Sequence, residues 1–292
     1  MKFSRRKFLH LAAGVTALPV ISGVARAQNY PSVPVRIIVG FTAGSATDIT
    51  ARLFAQRFSD PWKVPVTVEN IPGAGGSVGA ERVARSAPDG STLYWGANGA
   101  MTINPSLQPS STFDPGRDLA PIARILVMPS ILAVNNEVPA KNVAELFALA
   151  KAQPGRLSFA SPGVGTPQHI AGELLKSLAG VDIVHVPYRG AVFTDVIGGQ
   201  VTMTLQNMGT ILPVVREGKF RGLAVTSLKR SAAISELPTL AESGFPEFEA
   251  IFLVWAVGAS PHAGCRRPQG ACRYRADRGA SRFARANRAA RP

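Results

Sequence analysis

The stretch "VRIIVGFTAGSATDITARLFAQRFSD" (35–60) decides the fold class. Its first seven residues are a continuous apolar run bounded by a glycine-containing loop, the pattern of a buried parallel strand. Beyond the loop, Ile49, Leu53, Phe54 and Phe58 recur at helical spacing, so a strand hands over to an amphipathic helix. The alternation continues outward. "VPVTVEN" (64–70) reads as a second strand, "SVGAERVARS" (77–86) as a second helix and "STLYWGAN" (91–98) as a third strand. Strand, helix, strand, helix, strand predicts a parallel α/β sheet with crossover helices.

The pattern then restarts. "ARILVMPSILAVNN" (123–136) is a long extended stretch interrupted by Pro129, followed by the helix "VAELFALAKA" and the strand "RLSFASPG". The helix "TPQHIAGELLKSLAG" opens on Pro167 and ends on Gly180. After it come the strand "DIVHVPY", the short helix "AVFTDVIGG", the strand "QVTMTLQN" and the helix "GTILPVVREGK"; "FRGLAVTS" (220–227) is the last clear strand. Two successive α/β units predict two lobes, with chain passing between them near 124–135 and again near 222–250. The expected division is 28–125 for the first lobe, 126–225 for the second, and 226–262 for a return crossover into the first. Such a pair leaves a cleft at the carboxyl ends of the strands, where α/β sheets place ligands.

The formal net charge of +14 suggests nucleic acid until it is partitioned. Residues 28–262 hold eighteen basic and seventeen acidic side chains, so the body is nearly neutral and the excess lies at the two ends. With no basic, aromatic-interleaved run in the body, no nucleic-acid partner is expected. The start, "MKFSRRKFLHLAAGVTALPVISGVARAQ", has a basic n-region, an apolar stretch from Leu11 to Val24 and a small-x-small site at Ala25-Arg26-Ala27. About 14 apolar residues broken by Pro19 fall short of the roughly 20 that span a bilayer. Residues 1–27 are therefore expected to be a signal peptide directing the chain to the periplasm. "SRRKFL" also has the twin-arginine form, and ordinary secretion stays open. Residues 263–292 carry nine arginines, one acid and both cysteines (Cys265 and Cys272), without apolar periodicity. This composition fits a solvated basic tail or a coding sequence read in a shifted frame; the shifted frame is the preferred expectation.

Three strand-to-helix loops are expected to face the cleft. The first runs from Thr42 through Ala43, Gly44, Ser45 and Thr47 to Asp48. The second runs from Ser161 through Gly163, Gly165 and Thr166 to His169, and the third holds Tyr188, Arg189 and Gly190. Asn98 and Gln206, at strand ends, complete the expected binding set. Helix N-termini beside close-approach glycines favour anions, through orphan amides and the macrodipole. "NIPGAGGSVG" (70–79) lacks the third glycine of a dinucleotide fingerprint and the lysine of a phosphate loop. No G-x-S-x-G elbow or H-E-x-x-H occurs, so an enzyme is not expected. The four histidines (His10, His169, His185, His262) read as scattered, with none at ligand spacing, so no metal and no cofactor is expected.

"FTAGSATD", "VENIPGAGGSVGAERVARSAPDGSTL", "HVPYRGA", "EGKFRGLAVTS" and "ELPTLAESGFPEFEA" occur in that order across the body. Together they resemble the Bug family, the extracytoplasmic receptors of tripartite tricarboxylate transporters, from about Tyr30 to Trp255. The resemblance implies a type II periplasmic-binding-protein fold whose two α/β lobes close on a small carboxylate. It also implies that main-chain amides of the loops 42–48 and 161–169 hold the carboxylate, and that Tyr188, Arg189 and Gly190 match a family motif. The implied ligands are di- or tricarboxylates, amino acids or aromatic acids. The implied partners are that ligand and the membrane subunits of a transporter, with the receptor a monomer. A receptor that signals to a two-component kinase is the rival, and a periplasmic enzyme a further one. Two departures bear on selectivity: Gly44-Ser45 stands where relatives commonly have Gly-Gly, and Gln206-Asn207 where they often carry an aspartate. "VWAVGASPHAGC" (254–265) begins a family segment and then loses it.

Overall fold

The computed structural model of the chain describes residues 30–107, 113–188 and 192–260. The expected signal peptide, the arginine-rich tail, Arg189 and Gly190 lie outside them. The decisive stretch folds as read: β1 (Val35–Val39) is almost wholly buried, and Ser45 caps the helix α1 (Ala46–Trp62). The strands β2 (Val66–Asn70) and β3 (Thr92–Ala97) flank β1, both parallel to it, with α2 (Ser77–Ala84) on the crossover between them. Residues of α1 pack Ala46, Ala51 and Ala55 against Ile37, Val39 and Trp95 of the sheet. Small residues on that face let the helix approach closely, as a βα crossover requires.

The second half repeats the pattern. Its helices are α3 (Val143–Ala152), α4 (Pro167–Ala179), α5 (Phe193–Ile197) and α6 (Met208–Arg216). Its strands β5 (Ser158–Ser161), β6 (Val184–Pro187) and β7 (Met203–Asn207) are parallel, in the order β7, β5, β6. The core on one side of this sheet gathers Leu132, Leu146, Phe147, Phe159, Leu175 and Leu205.

One strand joins the halves. The 16-residue β4 (Leu119–Val134) continues straight through Pro129. Its first part pairs with β9 (Ile251–Ala259), and its last five residues pair antiparallel with β7 and β8 (Arg221–Val225). Two expectations are corrected here. The strand 220–227 is not the last: β9 lies antiparallel between β3 and β4, buried along its second half. The sheet is also mixed rather than parallel throughout, because β4, β8 and β9 run against their neighbours. Where the two connections meet, Thr226 is fully buried. Its Oγ1 accepts from the Ser130 amide (2.8 Å) and donates to the Ala250 carbonyl (2.6 Å), tying β4 to the return segment.

Candidate functional site

The β1–α1 loop is built around Asp48. Ser45 Oγ accepts from the Asp48 amide (3.2 Å), and Asp48 Oδ2 accepts from the Gly44 amide (2.9 Å), a reciprocal cap that fixes the turn. The carboxylate, 2% exposed, also receives Arg52 Nε (2.9 and 3.0 Å) and Asn70 Nδ2 (2.9 Å). Burial opposes its ionisation, but hydrogen bonds from Arg52, Gly44 and Asn70 outweigh that and hold its pKa below the usual carboxylate range. Asp48 is thus saturated from behind, while the amides of Ala46 and Thr47 at the start of α1 have no partner among the described residues.

The β5–α4 loop is organised the same way by different residues. Thr166 caps α4, accepting from the His169 amide (3.3 Å) and donating to the Gly163 carbonyl (2.7 Å). Pro167 has no N–H to satisfy, which leaves the Gln168 amide free at the helix start. Ser161 is fully buried; its Oγ meets His185 Nε2 at 2.7 Å and accepts from the Gly163 amide at 3.2 Å.

The histidines are not scattered, which corrects the reading from sequence. β6 runs beside β5, and this brings His185 against His169, with ring centroids 4.3 Å apart. Glu173 joins them, one possible ligating atom of each lying within 4.8 Å of the others. Such a set could in principle take a metal ion, but several of its candidate ligating atoms carry protein partners. Both Glu173 oxygens accept from Lys176 Nζ (3.0 and 3.1 Å), and His169 Nδ1 accepts from the Gly165 amide (3.4 Å). That last bond leaves the proton of neutral His169 on Nε2, so Nε2 is not free to ligate. Burial, and then the neighbouring His169, push the His185 pKa down to about 4; burial likewise lowers that of His169. Both rings are neutral props beneath the loop.

Between the two halves lies a cavity of about 1160 Å³. Of the residues expected from sequence, Thr42, Ala43, Gly44, Ser45, Thr47, Gly163, Tyr188 and Gln206 line it. Asp48, Ser161, Gly165, Thr166 and His169 stand one layer behind, in the roles just described. Asn98 also stands back: its Nδ2 donates to the Ile251 carbonyl (3.3 Å), holding β9. Tyr188 Oη donates to Asp195 Oδ2 (2.6 Å); that bond first, then burial, raises the phenol to about 12.

Sequence reasoning missed part of the wall. The segment Pro72–Gly76, set aside as a failed dinucleotide fingerprint, forms one side of the cavity. It is held there by the buried Tyr94, whose Oη donates to the Gly76 carbonyl (2.9 Å). The glycines Gly73, Gly75 and Gly76 all have positive φ, and that clustering was the available signal. Asn104, Gln168, Asn207, Phe193 and Phe252 also line the cavity, brought in by long-range packing. Gln168 Nε2 donates to Asn207 Oδ1 across two elements (3.0 Å).

The comparisons agree with this geometry. A family model described as tripartite tricarboxylate transporter family receptor matches residues 50–263. Protein BugT of Bordetella pertussis is 36% identical over 233 residues, which is 79% of this chain and 72% of that protein. A solved R. palustris protein with adipate is 30% identical with a TM-score of 0.79, covering 89% of this chain and 83% of its own. MatC from Rhodopseudomonas palustris, with bound malate, is 27% identical with a TM-score of 0.77, covering 89% and 84%. The architecture is that of the periplasmic binding proteins, two α/β lobes around a cleft.

Proposed function

The chain belongs to the tripartite tricarboxylate transporter receptor family, and from that premise we propose that it captures a small carboxylate in the periplasm and delivers it to membrane transporter subunits. The observation that carries the reading is the pair of helix N-termini flanking one cavity, α1 and α4, whose first amides have no partner among the described residues. Each terminus behaves as roughly half a positive charge, enough to favour an anion without any cationic side chain. Relatives of the same fold hold adipate and malate, which supports a carboxylate as cargo. The amides of the loops 42–48 and 161–169 are the proposed contacts, with Tyr188 and Gln206 at the sides and Arg189-Gly190 next in sequence.

The protein acts as a binder rather than an enzyme: Ser161 is buried, and neither it nor its half-buried partner His185 lines the cavity. Residues 1–27 serve as the export signal, and the exported chain begins at Gln28; N-terminal sequencing that returns Met1 contradicts this. Among the described residues no helix is long and apolar enough to cross a membrane. Segments 28–125 and 126–225 act as the closing lobes, with 226–262 as the return. A thermal-shift screen of the purified chain against succinate, malate, adipate, citrate and benzoate tests the function. Ligand at a hundred times its Kd adds about 2.7 kcal/mol to stability. A clear upward shift of the melting temperature with at least one acid is expected, and no shift with any of them counts against the reading.

A further inference from the structure

We propose that Asn104 is a positioning residue for binding: the second half of the molecule seats on it through Gly165, and this contact sets the two binding loops at their working separation. The proposal rests on the carboxylate reading above and adds a residue to it. Gly165 lies in the loop between β5 and α4, whose amides are proposed contacts for the carboxylate. Asn104 opens the short helix Asn104–Leu107, which follows β3 through the turn Gly99–Ile103. The two residues therefore come from opposite sides of the cavity.

Asn104 is buried, and its Nδ2 donates to the Ala74 carbonyl and to Ser77 Oγ (2.8 Å), both within the first half. Those bonds use both amide hydrogens and fix the plane of the carboxamide. Its Oδ1 is turned toward Gly165, so a Cβ built on Gly165 would run into it. Backbone closes on the same residue from two more places. The Gly165 carbonyl oxygen would lie 2.8 Å from a Cβ on Gly99 and 3.1 Å from one on Gly75. Both distances are inside ordinary van der Waals separation, so the halves meet here because three glycines leave the room. Gly75 and Gly165 have positive φ, which favours glycine on backbone grounds as well. Gly99 lies outside that region, so at this position the missing side chain answers to packing alone. The β5–α4 loop is braced from within by the Thr166 cap and the Gly165–His169 bond. Resting it on Asn104 fixes where its Gln168 amide stands relative to the β1–α1 loop, so that two helix N-termini meet one anion together. Groups held in place beforehand bind more tightly because less ordering is left to do on binding.

Titration calorimetry of the full chain with succinate, malate, adipate, citrate and benzoate tests this on a double-mutant cycle. Gly165→Ala drives a methyl into the Asn104 carboxamide and also strains the loop backbone, and it is expected to weaken binding of whichever acids wild type takes by on the order of a hundredfold. Gly165→Ala combined with Asn104→Ala carries the same backbone strain but clears the path of the methyl. The combined variant is expected to bind roughly tenfold more tightly than Gly165→Ala alone, a recovery that strain within the loop cannot produce. A combined variant no tighter than Gly165→Ala, or a Gly165→Ala protein that binds like wild type, overturns the proposal and leaves the carboxylate reading intact. If Gly165→Ala does not fold, Gly99→Ala carries the test, since its methyl meets the Gly165 carbonyl without a positive φ. It is expected to bind about tenfold more weakly, and wild-type affinity in a folded Gly99→Ala protein contradicts the assignment. If no acid binds wild type, the functional reading itself fails and the proposal falls with it.

Discussion

Gly44 holds φ at +79° with no atom within 4 Å of where a Cβ would stand. Gly44→Ala therefore isolates backbone strain, and about 1 kcal/mol of destabilisation is expected, read as a lower urea midpoint. A wild-type midpoint in this variant would mean the turn relaxes freely. His185 makes a second test. Its folded pKa of about 4 lies below the ordinary 6.5, so the unfolded chain takes up a proton first as pH falls. This group's contribution is present above the unfolded value and is lost between about pH 6.5 and 4. His169, Glu173 and Lys176 are the charged and titratable groups that act on it. His185→Gln should flatten the fall in urea midpoint between pH 7 and 4.5, and an unchanged slope counts against a neutral, half-buried ring. The start of α4 at Pro167 was legible in sequence because the fit of proline to a first helical turn is local. The saturation of Asp48 was not, because Asn70 lies 22 residues away and only the β1–β2 pairing brings it in.

At the scale of elements, the strand-to-helix handovers were read correctly where periodicity is strong, in α1 and α4. The strand β9 was missed because the segment 226–250 before it has turns in place of a helix, which removed the rhythm used to find the others. The placement of Pro72–Gly76 was missed for a related reason: its anchor, Tyr94, is buried on a strand 18 residues further on. Tyr94→Phe removes the phenol's bond to the Gly76 carbonyl, and a loss of about 1 kcal/mol is expected by chemical denaturation. Thr226→Val tests the junction of the two connections in the same way. It removes the partner of the Ser130 amide and Ala250 carbonyl at constant shape, and about 2 kcal/mol is expected, with Thr226→Ser largely preserving stability. A Thr226→Val protein as stable as wild type would show that the strand pairing alone holds the junction.

For the whole molecule, the excess of basic residues lies at the two chain ends and the body between them is nearly neutral. Among the described residues, the cleft lining carries no charged side chain, and the N-termini of α1 and α4 open on it. Ala43 is exposed on that wall, in the loop before α1. Ala43→Asp adds a fixed negative charge where the carboxylate is proposed to sit, with no buried atom displaced. Like charges a few ångströms apart repel by several kcal/mol at an effective dielectric near 20. Titration calorimetry of wild type and Ala43→Asp with the acid giving the largest thermal shift is the most direct measurement. The account predicts saturable binding by wild type and at least a hundredfold weaker binding by the variant, with the two ligand-free melting curves alike. A folded Ala43→Asp protein that binds the acid as tightly as wild type would contradict it.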